Sequence, residues 1–160
     1  MPLADTTRFI SDLVANDKIN FKTTAEAAAA FARAFSTYFG NVVTPPLFIF
    51  PPLFLNPTLN PLQVKILTEA LIPAFKAKKP AAICLGMQTA ILAYLTPAAI
   101  MFGFSAGSVA SPTPLAATLV PAMKVLNPDS VSAKTTLATV MATWLQTVTV
   151  VMGSTATPLV

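Results

Sequence analysis

Lys22-Thr23-Thr24-Ala25-Glu26-Ala27-Ala28-Ala29-Ala30-Phe31-Ala32-Arg33-Ala34-Phe35-Ser36-Thr37-Tyr38-Phe39-Gly40-Asn41 reads as one helix from its cap to its stop. Thr23 and Glu26 stand at capping-box spacing, where each side chain satisfies an orphan N–H of the first turn. The alanine run has the highest helix propensity of any residue type. Phe31, Phe35 and Tyr38 recur at helical spacing and make one apolar stripe. Gly40-Asn41 then supplies a left-handed stop.

Upstream, Pro2 to Asn16 is predicted to form a shorter helix, with Phe9, Ile10, Leu13 and Val14 opposite Arg8 and Asp12. Residues 1–41 therefore read as a helical hairpin. Downstream the character changes at Thr44-Pro45-Pro46-Leu47-Phe48-Ile49-Phe50-Pro51-Pro52-Leu53-Phe54-Leu55. Proline removes backbone donors and holds the preceding residue out of the helical region, so this stretch is extended. Phe48, Phe50 and Phe54 then share one face of the extended chain, stiffened in advance by the prolines. An arm this apolar is expected to lie in a groove of its own domain or of a neighbour.

Pro61-Leu62 opens a third helix through Val64, Leu67, Leu71 and Phe75, with Pro73 expected to kink or end it. Ala81 to Phe104 carries no charge, and its helical part is expected to stop near Thr96 because Pro97 clashes one turn back. Gly103, Gly107 and the run to Pro112 read as a second apolar arm. Pro114-Leu115 starts a fifth helix to about Leu126. Lys134 to about Met152 forms the sixth, with Leu137, Met141, Trp144 and Val148 on one face. Ser154 to Val160 is a tail.

The outer units echo each other. In one ungapped register Pro2-Leu3-Ala4 meets Pro114-Leu115-Ala116, Asp17 meets Asp129, Lys22-Thr23-Thr24 meets Lys134-Thr135-Thr136, and Pro46-Leu47 meets Pro158-Leu159. The middle unit fits less cleanly: Ile72-Pro73-Ala74-Phe75-Lys76 resembles Val120-Pro121-Ala122-Met123-Lys124 in a different register. The expected fold is all-α: one domain, 1–160, a bundle of about six helices from repeated helical hairpins at 1–41, 61–96 and 114–152. Extended Pro-rich apolar arms at 42–60 and 97–113 join them, and 153–160 is the tail.

Composition narrows the function classes. Of 160 residues, 54% are apolar, only 10% are charged and 15 are proline. A soluble monomer usually carries about a quarter charged residues, so the surface is expected to be buried against other chains or against lipid. The absence of histidine excludes Ser-His and Cys-His nucleophile systems. With Cys84 alone, neither a disulfide framework nor the usual metal site can be built, and a reducing compartment is expected. Met1 to Asp5 lacks the basic region and apolar core of a secretory signal, so none is expected.

Asp5, Asp12, Asp17, Glu26, Glu69 and Asp129 do not pair on one helix face as an acid/base site requires, and the five glycines do not form a phosphate loop. Lys76, Lys78 and Lys79 read as a solvated loop rather than a nucleic-acid footprint. No catalytic, cofactor-binding or metal-binding residues are expected. A membrane is the rival reading, since 81–104 and 135–153 are uncharged stretches long enough for a hydrocarbon core of about 30 Å. Against it stand Gly86 and Pro97 in the first stretch, the threonines of the second, and Glu26 and Arg33 in the helix aligned with it.

The helix starting Lys22-Thr23-Thr24-Ala25-Glu26-Ala27-Ala28, its echo at 132–160, and the threonine- and proline-rich exits resemble small Ala-rich virion structural proteins of tailed bacteriophages. The likeness covers roughly residues 20–41 and 132–160, and the Pro-Phe arm departs from it. It implies a non-enzymatic assembly component of a neck, tail, baseplate or capsid surface, located in the virion after assembly in the host cytoplasm. Its partners would be other structural subunits, self or hetero, with no nucleic acid; a small multi-span membrane protein is the alternative. The candidate interface residues are Phe48, Ile49, Phe50, Leu53, Phe54, Phe102 and Phe104.

Overall fold

The capping box forms as its residue types require. The Glu26 N–H donates to Thr23 Oγ1 at 3.2 Å, and Glu26 Oε2 accepts from the backbone of Lys22 at 2.7 Å and of Thr23 at 3.4 Å. A computed structural model of the chain describes residues 5–39, 61–101, 109–111, 113–124, 129–152 and 155–158. The helix that starts from this box is α2, Thr24–Phe39. The others are α1 Thr7–Asp17, α3 Pro61–Lys76, α4 Pro80–Met101, α5 Leu115–Met123 and α6 Ser130–Leu145. Among the described residues the protein is an all-α bundle of six helices. A small antiparallel sheet accompanies it: β1 Val109–Ala110, β2 Thr149–Met152 and β3 Thr155–Pro158, in the order β1-β2-β3.

Each helix packs on its neighbours in sequence, and α1 packs on α6, so the six close into a ring. The aromatic stripe faces inward as its spacing predicts: Phe35 is fully buried, and Phe31 and Tyr38 nearly so. Phe9 on α1 meets Phe31 and Phe35 edge-on at 6.1 Å and stacks on Tyr38 at 5.0 Å. Phe31 reaches Phe75 on α3 and Phe35 reaches Tyr94 on α4. Ser36 is fully buried, and its hydroxyl makes no hydrogen bond of good geometry. It nevertheless interacts with Tyr94 and offsets part of the burial that raises that phenol's pKa.

The helices α3 and α4 approach closely at Gly86. A Cβ on Gly86 would lie 2.6 Å from Cβ and 3.0 Å from Cα of Ala74. The lack of a side chain at Gly86, which reads as an interruption in sequence, is what lets the two backbones meet. Pro73 does not end its helix, and Pro97 departs from expectation. Pro73 lies inside α3, and α4 continues past Pro97 to Met101, so residues 97–101 are helical rather than part of an extended arm. A proline costs one backbone bond and some strain. Just before Pro97, Thr96 Oγ1 donates to the Leu92 carbonyl at 2.8 Å and ties the turn there.

The sixth helix also departs from expectation. It ends at Leu145 rather than near Met152, and Thr149–Met152 is a strand paired with Thr155–Pro158 inside the expected tail. The β-branched run Thr147-Val148-Thr149-Val150-Val151 explains the change, since such side chains are stiff in helices and fit a pleated surface. The helix starts early as well. Asp129 caps it, accepting from the Ser132 N–H at 2.9 Å, which places Thr135-Thr136 inside α6 whereas Thr23-Thr24 stand at the start of α2. The ungapped alignment of the outer units therefore does not superimpose element on element. Gly40-Asn41 lies outside the described residues, as do Leu126 at the expected end of α5 and both arms apart from 97–101, 109–111 and Thr113.

Trp144 is fully buried, as its place on the apolar face of α6 predicts. Its indole N–H donates to Ser111 Oγ at 3.0 Å and to the Thr113 carbonyl at 2.9 Å, tying the approach to α5 onto α6. Pro114, at the start of α5, has no side-chain acceptor, and Gln88 Oε1 of α4 accepts from the Leu115 N–H at 2.7 Å instead.

Two outcomes follow from this packing. Gly86→Ala would ordinarily gain about 1 kcal/mol of helix propensity. Here the clash with Ala74 outweighs that gain, for an expected net loss of about 1–2 kcal/mol by urea denaturation, smaller in an Ala74→Gly background. Trp144→Ala is expected to cost about 3–5 kcal/mol, and a thermal midpoint equal to wild type would contradict its place in the core.

Candidate functional site

The six helices do not fill their ring equally at both ends. Where α1 begins and α2 ends, Phe9, Phe35, Tyr38 and Tyr94 occupy the axis. At the opposite end lies an open cavity of about 690 Å³, where Ala27, Ala122 and Ala133 stand among larger side chains. Every helix contributes to its wall: Leu13, Phe31, Phe75, Met87, Leu119 and Leu137 come from α1 to α6 in turn. Exposed Ile19 and Met123 border the opening.

The polar groups of the cavity gather on the α1–α6 side. Lys134 Nζ stands 2.9 Å from Asp17 Oδ1, and the Ser130 hydroxyl donates to Asp17 Oδ2. Thr136 shares this wall, with its hydroxyl donating to the Ser132 carbonyl at 3.0 Å. Partial burial alone would raise the Asp17 pKa, but the hydrogen bonds from Ser130 and Lys134 and the lysine charge together lower it. The carboxylate also lies by the start of α6, where the helix dipole favours negative charge. The other ion pairs among the described residues, Arg8–Asp12 at 3.7 Å and Lys65–Glu69 at 3.9 Å, are exposed same-helix pairs of the kind that contributes little.

The remaining candidates separate by position. Phe48, Ile49, Phe50, Leu53, Phe54, Phe102 and Phe104 lie outside the described residues. Lys76, Lys78 and Lys79 stand around the α3–α4 turn and are not among the residues that line the cavity. Cys84 is buried with its thiol 3.9 Å from Met123 Sδ, and burial pushes its pKa up, away from the reactive thiolate. Among the described residues no group of three or more His, Cys, Asp and Glu stands close enough to hold a metal ion. Nor is any helix among them long and apolar enough to cross a membrane.

Sequence reasoning did not bring Asp17 and Lys134 together. Each had a partner in the internal alignment, Asp129 and Lys22, but the alignment says nothing of α1 meeting α6. Only closure of the ring joins them.

No protein-family model, curated protein or solved structure matches the chain.

The depressed Asp17 pKa fixes a pH dependence. A lowered folded value means the contribution is present above the unfolded value of about 3.8 and is lost as pH falls through the folded one. Asp17→Asn is therefore expected to be less stable than wild type at neutral pH. The gap between their urea midpoints should close in acid below the ordinary carboxylate range; a constant gap would contradict the pairing.

Proposed function

We propose that this chain is a non-enzymatic assembly subunit of a large particle, a bacteriophage virion component of the neck, tail, baseplate or capsid surface. The observation that carries the reading is apolar surface left open on a chain with few charges. On α3, Leu62 is 61% exposed and Ile66, one turn on, 37%; on α4, Leu85 is 63% exposed. Only 10% of all residues are charged. Isolated exposed apolar residues are ordinary, but a chain with so few charges has little to keep such surface from partners.

The Pro-rich aromatic sequence Thr44–Leu55 would supply a further apolar contact. Docking a segment with little freedom to lose keeps the entropic cost low. Each of Phe48, Phe50 and Phe54 would contribute roughly 1.5–3 kcal/mol if fully buried on a partner. The resemblance of the Ala-rich helices to virion proteins supports the choice of particle, and the partners are structural subunits of the same or another kind.

Serine at both Phe48 and Phe50 separates the outcomes. Sedimentation is expected to show loss of the assembled species, while the melting temperature of the isolated subunit stays at the wild-type value. Lower melting, with assembly in proportion to folded protein, would place the rings in the subunit's own core. Recovery of the wild-type chain from detergent-extracted membranes instead of a large particle would overturn the reading as well.

A further inference from the structure

The charges of this chain are sorted toward one end of the ring. The ends of α1, α3 and α5 and the starts of α2, α4 and α6 meet around the open hollow, where Asp17, Phe75, Ile83, Met123 and Lys134 line its wall. Seven of the eight lysines belong to these segments: Lys18, Lys22, Lys76, Lys78, Lys79, Lys124 and Lys134. Three carboxylates stand against them, Asp17, Glu26 and Asp129, so the whole net charge of +4 resides at this end. Elsewhere Arg8, Arg33 and Lys65 balance Asp5, Asp12 and Glu69.

The local carboxylates are already committed. Asp17 is taken by Lys134 and Ser130, Glu26 by the backbone of Lys22 and Thr23, and Asp129 by Ser132. Lys18, Lys22, Lys76, Lys78, Lys79 and Lys124 are exposed, and none forms an ion pair among the described residues. Their backbone is held in ordered turns. The N–H groups of Lys18 and Lys124 donate to the Ala15 and Pro121 carbonyls at 3.2 Å, and the Lys79 carbonyl accepts from Ile83 at 3.0 Å.

Apolar side chains protrude among these lysines. Ile19 is 54% exposed beside Lys18, Met123 is exposed beside Lys124, and Val131, in the first turn of α6, is 50% exposed. This composition chooses between the two large anionic partners. Nucleic acid is recognised above all with arginine and with exposed rings on which bases stack. Both arginines lie elsewhere, in α1 and α2, and the exposed apolar side chains at this end are not aromatic. A membrane-surface contact instead joins lysines, drawn to anionic headgroups, with aliphatic side chains that enter the interfacial layer.

We propose that this end of the bundle docks on an anionic lipid bilayer as a peripheral contact. The six exposed lysines meet the phosphates, and Ile19, Met123 and Val131 enter the headgroup layer.

The test uses the full chain and vesicles of phosphatidylcholine and phosphatidylglycerol in equal parts, with phosphatidylcholine vesicles and duplex DNA for comparison. Flotation is expected to show binding to the mixed vesicles at least about tenfold tighter than to phosphatidylcholine alone. Raising sodium chloride from about 0.1 M to about 1 M shortens the screening length from about 10 Å to about 3 Å and is expected to release the protein without detergent. Lys78→Glu lies just before the start of α4, where a negative charge is tolerated, and is expected to weaken binding about fivefold or more. Arg33→Glu makes the same change in net charge in the middle of α2 and is expected to leave binding within about twofold. Ile19→Ser with Val131→Ser keeps every charge and is expected to weaken vesicle binding about fivefold. Equal binding to both vesicles, an equal loss in Arg33→Glu, or indifference to the two serines would each overturn the proposal. Tighter binding of duplex DNA than of the mixed vesicles would overturn it in favour of a nucleic acid. Release by salt alone separates this docking from the detergent-requiring insertion that would count against assembly. None of these readouts involves Phe48 or Phe50, so the two proposals fail separately.

Discussion

Phe9 is the contact on which the helical ring depends. It reaches three rings of α2 at once, two edge-on and one stacked, and through Phe31 and Phe35 the same cluster extends to α3 and α4. Aromatic pairs of this kind contribute about 0.5–1.5 kcal/mol each beyond the area they bury. The cluster sets the spacing of four helices at one end of the bundle.

What was readable from the sequence was local. The capping box, the stripe of Phe31, Phe35 and Tyr38, and the burial of Trp144 each follow from residues within a turn or two of one another. The end of α6 was not readable from helical spacing, because Leu137, Met141, Trp144 and Val148 keep that spacing up to a segment that pairs as a strand. There the β-branched run and the availability of Val109–Ala110 as a partner decide the outcome. Pro97 of α4 misled in the opposite direction: a helix held by packing on both sides tolerates a missing bond that an isolated one would not. The cavity and its ion pair were illegible for a third reason, since they exist only once six separate segments have closed.

The scarcity of charge gives the few charged groups fixed structural tasks. Glu26 caps α2, Asp129 caps α6, and Asp17 with Lys134 bridges the first helix to the last. Buried polar groups are met in the same frugal way, by Gln88 for the start of α5 and by Ser111 and Thr113 for the indole of Trp144. The apolar remainder of the sequence is thus free to serve contacts of another kind.

Closure of the ring through α1 and α6 has a consequence for how the chain opens. Five of its six junctions join helices adjacent in sequence, so each can form early at small entropic cost. The α1–α6 seam alone joins the two extremes of the bundle and must form against the largest loop. That seam carries Asp17 and Lys134 and forms one wall of the hollow. The boundary that joins the two ends of the helical chain is therefore also a boundary of the hollow.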